Sequence, residues 1–442
     1  MGENLSLPGI SLFQIRLYYL FVFLSFIHLL VKFRNIRLSL FIILLFYNGL
    51  FSFISKDFQN IFKIILTIIS CYYLINTKLL STFKQTKFVL LSFIIFSISF
   101  FYSSFVNGDY FLITFSQYSR YFVLFSLFVI LYANRDEEDL KHNLENVLFQ
   151  VLLIQIVLSV IKYMIMGSVE SIVGSIGSQG GAIATSLPVL AFMFLWIKKN
   201  GRFHSKEWWV IVGFMFIGFA SLKRAIWFVM PVIVLLFMFY IPKRRIPLNT
   251  LLLSFVLAPL IFYIGVRFDR SLNKEGIIGG SFDPRYAFNY AKTYMFGTEG
   301  SEKSGTGRGG ATILLFNKYK ENDLTQKDWV GFGLRFIYAT NYDEFQDLNF
   351  GISTKGAATG IFQSYVSGGF LGIIAIILFA ISILIKTKSK RLKYVLITFF
   401  FWEYLFYTGI IIREYALSFL LIYIILFSKN ELEKISNQPN TS

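Results

Sequence analysis

Apolar segments of about 20 residues recur along most of this chain and are separated by short charged connections. One α-helix needs that length to cross the hydrocarbon core of a bilayer. With 55% hydrophobic residues among 442, the chain also has more apolar surface than a soluble core of this size can bury. Lipid therefore has to solvate part of that surface, and the pattern predicts an all-α, polytopic transmembrane helix bundle.

The apolar windows between charged residues predict about thirteen spans, within a range of about 12–14. These windows lie near residues 17–31, 38–55, 61–75, 87–106, 115–132, 145–166, 181–197, 207–221, 225–241, 249–266, 357–385, 392–411 and 414–428. A polar stretch interrupts the series after the tenth window. We therefore divide the chain into a bundle at residues 1–266, a large loop at 267–355, C-terminal helices at 356–428 and a polar tail at 429–442.

A net charge of +17 would suggest a nucleic-acid partner in a soluble protein, but here the basic residues lie in short connections between apolar windows. Such connections are cytoplasmic by the positive-inside rule, so no nucleic-acid partner is expected. Strict alternation then places the large loop on the opposite side, together with the connections at 167–180 and 221–224. The basic connections contain Lys32, Arg34 and Arg37; Lys78, Lys84 and Lys87; Lys198, Lys199, Arg202 and Lys206; Lys243, Arg244 and Arg245; and Lys386, Lys388, Lys390, Arg391 and Lys393.

Cysteine and histidine usage argues against several kinds of site. Cys71 is the single cysteine, which excludes an internal disulfide and a cysteine-based metal site. The three histidines, His28, His142 and His204, all lie outside the large loop, so a histidine-based metal site or a Ser-His-Asp relay is not expected there. The chain also lacks a Walker A sequence. We expect no metal and no cofactor.

The large loop contains a glycine-rich run at residues 297–310, which is typical of irregular backbone. Within it, Arg308 has glycine on both sides, and such a backbone can bring a guanidinium and amide donors close to a phosphate. The structural alternative is a solvated loop arginine. Residues 311–320 follow with a pattern that predicts a short amphipathic helix at the membrane surface.

Lys223 and Arg224 interrupt an otherwise continuous apolar stretch on the side opposite the basic connections. Two cations placed against the positive-inside bias need a partner, and a pyrophosphate would supply the missing anion. A tight turn with both side chains reaching to water is the structural alternative.

Three weaker candidates lie in or near other spans. Arg120 lies near the outer end of one span, and Arg413 is expected to pair with Glu414 or Glu403. Glu403 lies inside a span, where an ionisable group is by default a functional candidate. Elsewhere, intramembrane charge is scarce, which speaks against a secondary transporter.

Three segments together resemble the bacterial O-antigen polymerase (Wzy) family, within the O-antigen polymerase and ligase superfamily. They are Ser-Leu-Lys-Arg-Ala at 221–225, the large-loop pair Gly-Arg-Gly-Gly at 307–310 and Gly-Phe-Gly at 331–333, and a glycine-rich helix start at 360–372. The resemblance covers roughly residues 174–384. The related ligases carry a histidine just before the last segment, where this chain has Ala-Ala-Thr, so the comparison favours a polymerase and leaves the general base unidentified.

The resemblance implies a GT-C-like bundle capped by a large periplasmic loop, in the bacterial inner membrane. It implies a metal-independent glycosyltransferase that moves a growing glycan from undecaprenyl pyrophosphate onto the non-reducing end of a second lipid-linked repeat unit. The implied partners are that lipid-linked oligosaccharide and membrane lipid, with a polysaccharide chain-length regulator as a further candidate. An O-antigen ligase, a polysaccharide flippase or other transporter, and a membrane scaffold without activity are the alternatives.

Fixed cations would stabilise the departing diphosphate in such a reaction. The residues expected to do so are Arg308, Arg224 and Lys223. Those expected to bind substrate are Arg285, Arg335, Arg120, Gly331 and Gly333. A carboxylate in the loop is the simplest general base. The candidates, which the sequence does not rank, are Asp283, Asp343, Glu344 and Asp347.

Overall fold

The computed structural model describes residues 11–77, 79–167, 172–177, 181–199, 205–221, 225–240, 248–270, 272–296, 320, 324–334 and 359–428. Within these ranges the chain forms α-helices joined by short connections, and no residue there belongs to a β-strand. Six of the helices are long and apolar enough to cross a bilayer. The predicted all-α, multi-pass membrane architecture is thereby confirmed.

The helices are numbered in chain order. They are α1 Leu12–Lys32, α2 Ser39–Phe46, α3 Asn48–Ile54, α4 Lys56–Ile75, α5 Leu79–Gln85, α6 Lys87–Val106, α7 Phe111–Ala133, α8 Glu138–Met166, α9 Gly181–Lys198, α10 Ser205–Ala220, α11 Ala225–Tyr240, α12 Leu248–Phe268, α13 Pro284–Phe296, α14 Gln326–Val330, α15 Gly360–Leu384, α16 Lys390–Phe406 and α17 Tyr415–Phe427. A 3₁₀ turn at Ile410–Ile412 precedes α17. We call the end of the bundle where α12 ends and α15 begins the loop end.

Within the described residues, six stretches have sufficient length and hydropathy to span a bilayer. They lie at Leu12–Lys32, Phe58–Ile75, Lys87–Val106, Thr114–Ala133, Glu138–Met166 and Gly360–Leu384. Shorter apolar stretches of helix lie at Ala182–Lys198, at Pro259–Phe268 in the second half of the 21-residue α12, and at Tyr415–Phe427. The predicted spans at 207–221, 225–241 and 392–411 correspond to α10, α11 and α16, which are only 16, 16 and 17 residues long.

The span predicted at 38–55 forms two helices, α2 and α3. Where they meet, their backbone makes hydrogen bonds with a neighbouring segment, residues 172–177. Residues 172–177, within the outer connection that the sequence predicted at 167–180, are buried in the bundle. Ser175 Oγ donates to the Phe46 carbonyl at 2.9 Å, and the Gly49 N–H donates to the Ser175 carbonyl at 2.9 Å. Irregular backbone is tolerated at this depth because protein, rather than lipid, surrounds it.

Two connections contain helices that the sequence did not predict. The basic connection around Lys84 forms α5, and α13 begins directly after Asp283 in the large loop. The amphipathic helix predicted at 311–320 lies outside the described residues, apart from residue 320.

The interior of the bundle is organised around α17, whose residues are all buried. It packs against α7 and α9, and its start lies at the loop end. Helix α6 packs against α15 along an extensive contact. Gly368 and Gly372 on α15 face Ser99 of α6, and small residues at such spacing allow two membrane helices to approach closely.

Candidate functional site

Five ionisable side chains come together at the loop end of the bundle, and we call them the polar cluster. They are Lys63 on α4, Arg120 on α7, Glu403 on α16, and Arg413 and Glu414 just before α17. Glu414 interacts electrostatically with Arg120, Arg413 and Lys63, and Arg413 also interacts with Glu403. These residues are far apart in sequence, so only the fold shows that they form one group.

Lys63 is the cluster member that the sequence analysis missed. Its side chain is buried, and its Nζ donates to Ser116 Oγ at 2.7 Å and to Asn60 Oδ1 at 3.4 Å. Ser116 Oγ in turn donates to Asn60 Oδ1 at 3.0 Å, so the three groups link α4 to α7. A lysine inside a predicted apolar span was the signal that could have identified it, since intramembrane cations need partners.

Glu414 lies at the start of the central helix and is 7% exposed. One of its oxygens accepts a hydrogen bond from Asn48 Nδ2 at 3.2 Å. The Asn48 amide oxygen is also buried, and it has no hydrogen-bond partner among the described residues. The Glu414 carboxylate therefore faces three cations. It lies next to the Asn48 amide oxygen, which can still accept a hydrogen bond.

Arg413 connects Glu414 to Glu403 on the other side of the cluster. Its guanidinium donates to the side-chain oxygen of Gln363, in the first turn of α15, and to the Thr408 carbonyl at 3.4 Å. The expected pairing of Arg413 with the two glutamates is therefore electrostatic. The guanidinium's hydrogen bonds instead bring the start of α15 next to the cluster.

The charges of the cluster do not cancel. Lys63, Arg120 and Arg413 carry three positive charges against two negative charges on Glu403 and Glu414, which leaves one positive charge in excess when all are ionised. Excess positive charge in a low-dielectric interior favours binding of an anion. The unpartnered acceptor of Asn48 favours a ligand that also carries hydrogen-bond donors.

Gly331 and Gly333, predicted to bind substrate, dock the large loop onto the bundle. Because α15 is broken at Gly369, the carbonyl of Val366 accepts the N–H groups of Phe332 at 2.7 Å and Gly333 at 3.1 Å. A Cβ on Gly331 would lie 2.6 Å from the backbone nitrogen of the neighbouring α15 glycine, Gly368. Close backbone packing thus accounts for these glycines, while their predicted role in substrate binding stays a prediction.

Side chains at the end of α6 and on α15 hold the same piece of the loop. Asp109 accepts the N–H of Leu334 at 2.7 Å, and Asn107 donates to the Gly331 carbonyl at 3.1 Å. Asp328 is fully buried and accepts the hydroxyl of Tyr365. The loop is therefore fixed to the seam between α6 and α15 at α14 and the residues that follow it.

We expect Gly369→Ala to destabilise this docking, and Gly368→Ala to serve as its control. Gly369 has φ 62°, and an added Cβ would lie 2.3 Å from the Trp329 carbonyl carbon. Combined with ψ −160°, this conformation is accessible almost only to glycine, and it costs a residue with a Cβ about 1–3 kcal/mol. The Cβ of the control would meet only Ser99 Oγ, at 3.5 Å. Equal melting temperatures of the two purified variants would contradict the docking role.

Asp283 and Arg285 lie at the start of α13, away from the polar cluster in sequence. Asp283 accepts the Tyr286 N–H at 3.0 Å, which caps the helix, and pairs with Lys274 at 2.5 Å. The hydrogen bond from Lys274 lowers the pKa of the Asp283 carboxyl below its ordinary value, which makes it a weaker base. Arg285 is exposed.

The remaining predicted site residues lie outside the described residues. They are Lys223, Arg224, Arg308, Arg335, Asp343, Glu344 and Asp347. Ser221, which precedes the Lys-Arg pair, is buried and donates to the Ile172 carbonyl at 2.9 Å. The roles predicted for the seven residues stay predictions.

Comparison with known proteins gives no match over any part of the chain. No protein-family model fits it, and no curated protein or solved structure is significantly similar to it.

Proposed function

We propose that the protein polymerises undecaprenyl-pyrophosphate-linked repeat units of a surface polysaccharide, such as O-antigen, at the periplasmic face of a bacterial inner membrane. The growing glycan leaves one lipid carrier and joins the non-reducing end of the repeat unit on another. The observation that carries the proposal is the polar cluster, an excess of fixed cations inside a membrane bundle. The motif resemblance supports the same reading.

The cluster suits the leaving group of this reaction. When the bond between the sugar C1 and the phosphate oxygen breaks, negative charge develops on the diphosphate. Cations that are already in position stabilise such charge without having to reorganise. Arg120 and Arg413 can each offer two parallel N–H groups to phosphate oxygens, and Lys63 can add a point charge.

The location of the cluster suits a lipid-linked substrate. It lies at the loop end of helices that span the membrane, so a diphosphate could reach it while the prenyl chain stays in lipid. Exposed apolar residues on the neighbouring face of α4 and at the start of α7 border this end, including Ile61, Ile65, Phe111 and Leu112. A soluble sugar nucleotide would not need this arrangement.

A polysaccharide flippase is the second candidate, because the interior holds more charge than the sequence analysis expected. Besides the polar cluster, Lys162 of α8 is buried, with its Nζ 5.2 Å from the ring centroid of Tyr18. Charged groups inside a bundle also occur along substrate pathways of transporters. The motif resemblance favours transfer over transport.

Deletion in the native host separates the candidates. A polymerase deletion is expected to reduce the ladder of surface glycan to a single capped repeat unit on a gel. Complete loss of surface glycan would point instead to a flippase or a ligase. Complementation with the intact chain, checked for membrane accumulation, controls for effects on neighbouring genes.

A further inference from the structure

The two carboxylate oxygens of Glu403, a member of the polar cluster, have different surroundings. Its Oε1 accepts the Ile410 N–H at 2.6 Å and the Thr408 hydroxyl at 3.4 Å. Its Oε2 is buried and has no hydrogen-bond partner among the described residues. The residue as a whole is 1% exposed.

An unpartnered carboxylate oxygen in the interior of a membrane protein is costly, so it requires an explanation. The contacts of Oε1 explain why an acceptor is needed at the turn that follows α16. They do not explain the second oxygen, since a glutamine could accept the same two hydrogen bonds, and the nearby cation Arg413 makes no hydrogen bond to Oε2. A ligand that donates a hydrogen bond to Oε2 would account for this unpartnered oxygen.

Three other described carboxylates at this end already have partners. Glu414 accepts a hydrogen bond from Asn48 and interacts with three cations. Asp328 accepts hydrogen bonds on both oxygens, from Tyr365 and Thr325. Asp283 pairs with Lys274. Glu403 interacts with one cation of the cluster, Arg413.

We propose that Glu403 is the base that accepts the proton of the acceptor sugar hydroxyl, an inference that rests on the function proposed above. The hydroxyl oxygen of the acceptor forms a bond to C1 of the donor sugar as the bond between C1 and the diphosphate oxygen breaks. The hydroxyl proton passes to Glu403 Oε2, and the electron pair of the broken bond leaves with the diphosphate. The cations beside Glu403 hold that leaving group.

The geometry sets one condition on this step. Glu403 Oε2 is buried in this structure, so the residues that cover it have to move when the acceptor binds.

The test compares Glu403→Gln with the wild type after reconstitution in lipid vesicles. The variant keeps the oxygen that accepts the Ile410 N–H but has no negative charge. We expect chain extension of the host's lipid-linked repeat unit to slow about 100-fold, as for loss of a general base. Binding of undecaprenyl diphosphate alone is expected to be no weaker than in the wild type, because the three cations remain and one negative charge beside them is removed.

Glu145→Gln is the matched control, because Glu145 accepts the Tyr423 hydroxyl at 3.0 Å at the opposite end of the bundle. Rates are normalised to folded protein from melting profiles, so that partial unfolding is not read as loss of catalysis. A normalised rate of Glu403→Gln equal to that of the wild type would overturn the inference and leave the proposed function intact. A wild-type protein that extends no chains would instead overturn the proposed function.

Discussion

Replacing Arg120 with alanine is expected to slow chain extension by about 10²–10³-fold, the usual loss when one preorganised donor to a developing negative charge is removed. Arg120 is half-buried, and it acts electrostatically on Glu414 in the centre of the polar cluster. Its guanidinium can contact two oxygens of a diphosphate at once. Arg120→Lys should keep part of the activity, because a point charge cannot reproduce both contacts.

The same variant is expected to fold and reach the membrane. Without Arg120 the cluster has two cations, Lys63 and Arg413, against two carboxylates, so no uncompensated negative charge stays buried. Loss of activity at a normal protein level would therefore reflect the reaction and not the fold. Chain extension and membrane protein level are to be measured together.

Arg135→Ala is the control for Arg120→Ala, because both arginines belong to α7 or directly follow it. Arg135 follows α7 at its opposite end, where it stacks on Tyr132 at 3.9 Å and pairs with Asp136. We expect the Arg135 variant to make long glycan chains and the Arg120 variant to make short ones. Wild-type chain lengths from Arg120→Ala would remove this residue from the site.

Hydropathy was sufficient to predict the class of fold, because a bilayer requires apolar helices of defined length. It could not predict where the helices break. The joint between α2 and α3 depends on hydrogen bonds with Ser175, which is distant in sequence. The Asn48-Gly49 pair at this joint is a turn signal in the sequence, but hydropathy windows do not weigh it.

The candidate site was predictable only in part. Arg120, Glu403, Arg413 and Glu414 could be picked out as charges in or near apolar spans. Their grouping could not be predicted, because it depends on how α4, α7, α16 and α17 pack. Lys63 was overlooked because the spans were assigned by hydropathy, which tolerates one lysine in a long apolar helix.

The glycine motifs show a second limit of prediction from sequence. The Gly-x-Gly at residues 331–333 was expected to bind substrate because of the motif resemblance. In the structure both glycines have positive φ and lie against the backbone or side chains of α6 and α15. A sequence pattern shows that a close approach is needed there, but not whether a ligand or another helix makes it.

Glu414→Gln should have the largest effect on stability, because it leaves three cations of the polar cluster facing a single carboxylate. The glutamine oxygen can still accept the hydrogen bond from Asn48, so the substitution removes little besides charge. Removing one partner of a buried ionic group costs about 3–5 kcal/mol. We expect a clearly lower melting temperature of the purified protein and less of it in the membrane.

Adding Lys63→Met to Glu414→Gln should restore much of that stability. The net charge of the cluster is +1 in the wild type, rises to +2 in the single variant and returns to +1 in the double variant, counting Lys63, Arg120, Arg413, Glu403 and Glu414. Methionine has a length close to that of lysine and packs well in an apolar interior. Partners in one charge network should show such coupling in a double-mutant cycle. Strictly additive losses in the two single variants and the double variant would mean that Lys63 and Glu414 do not share one electrostatic site.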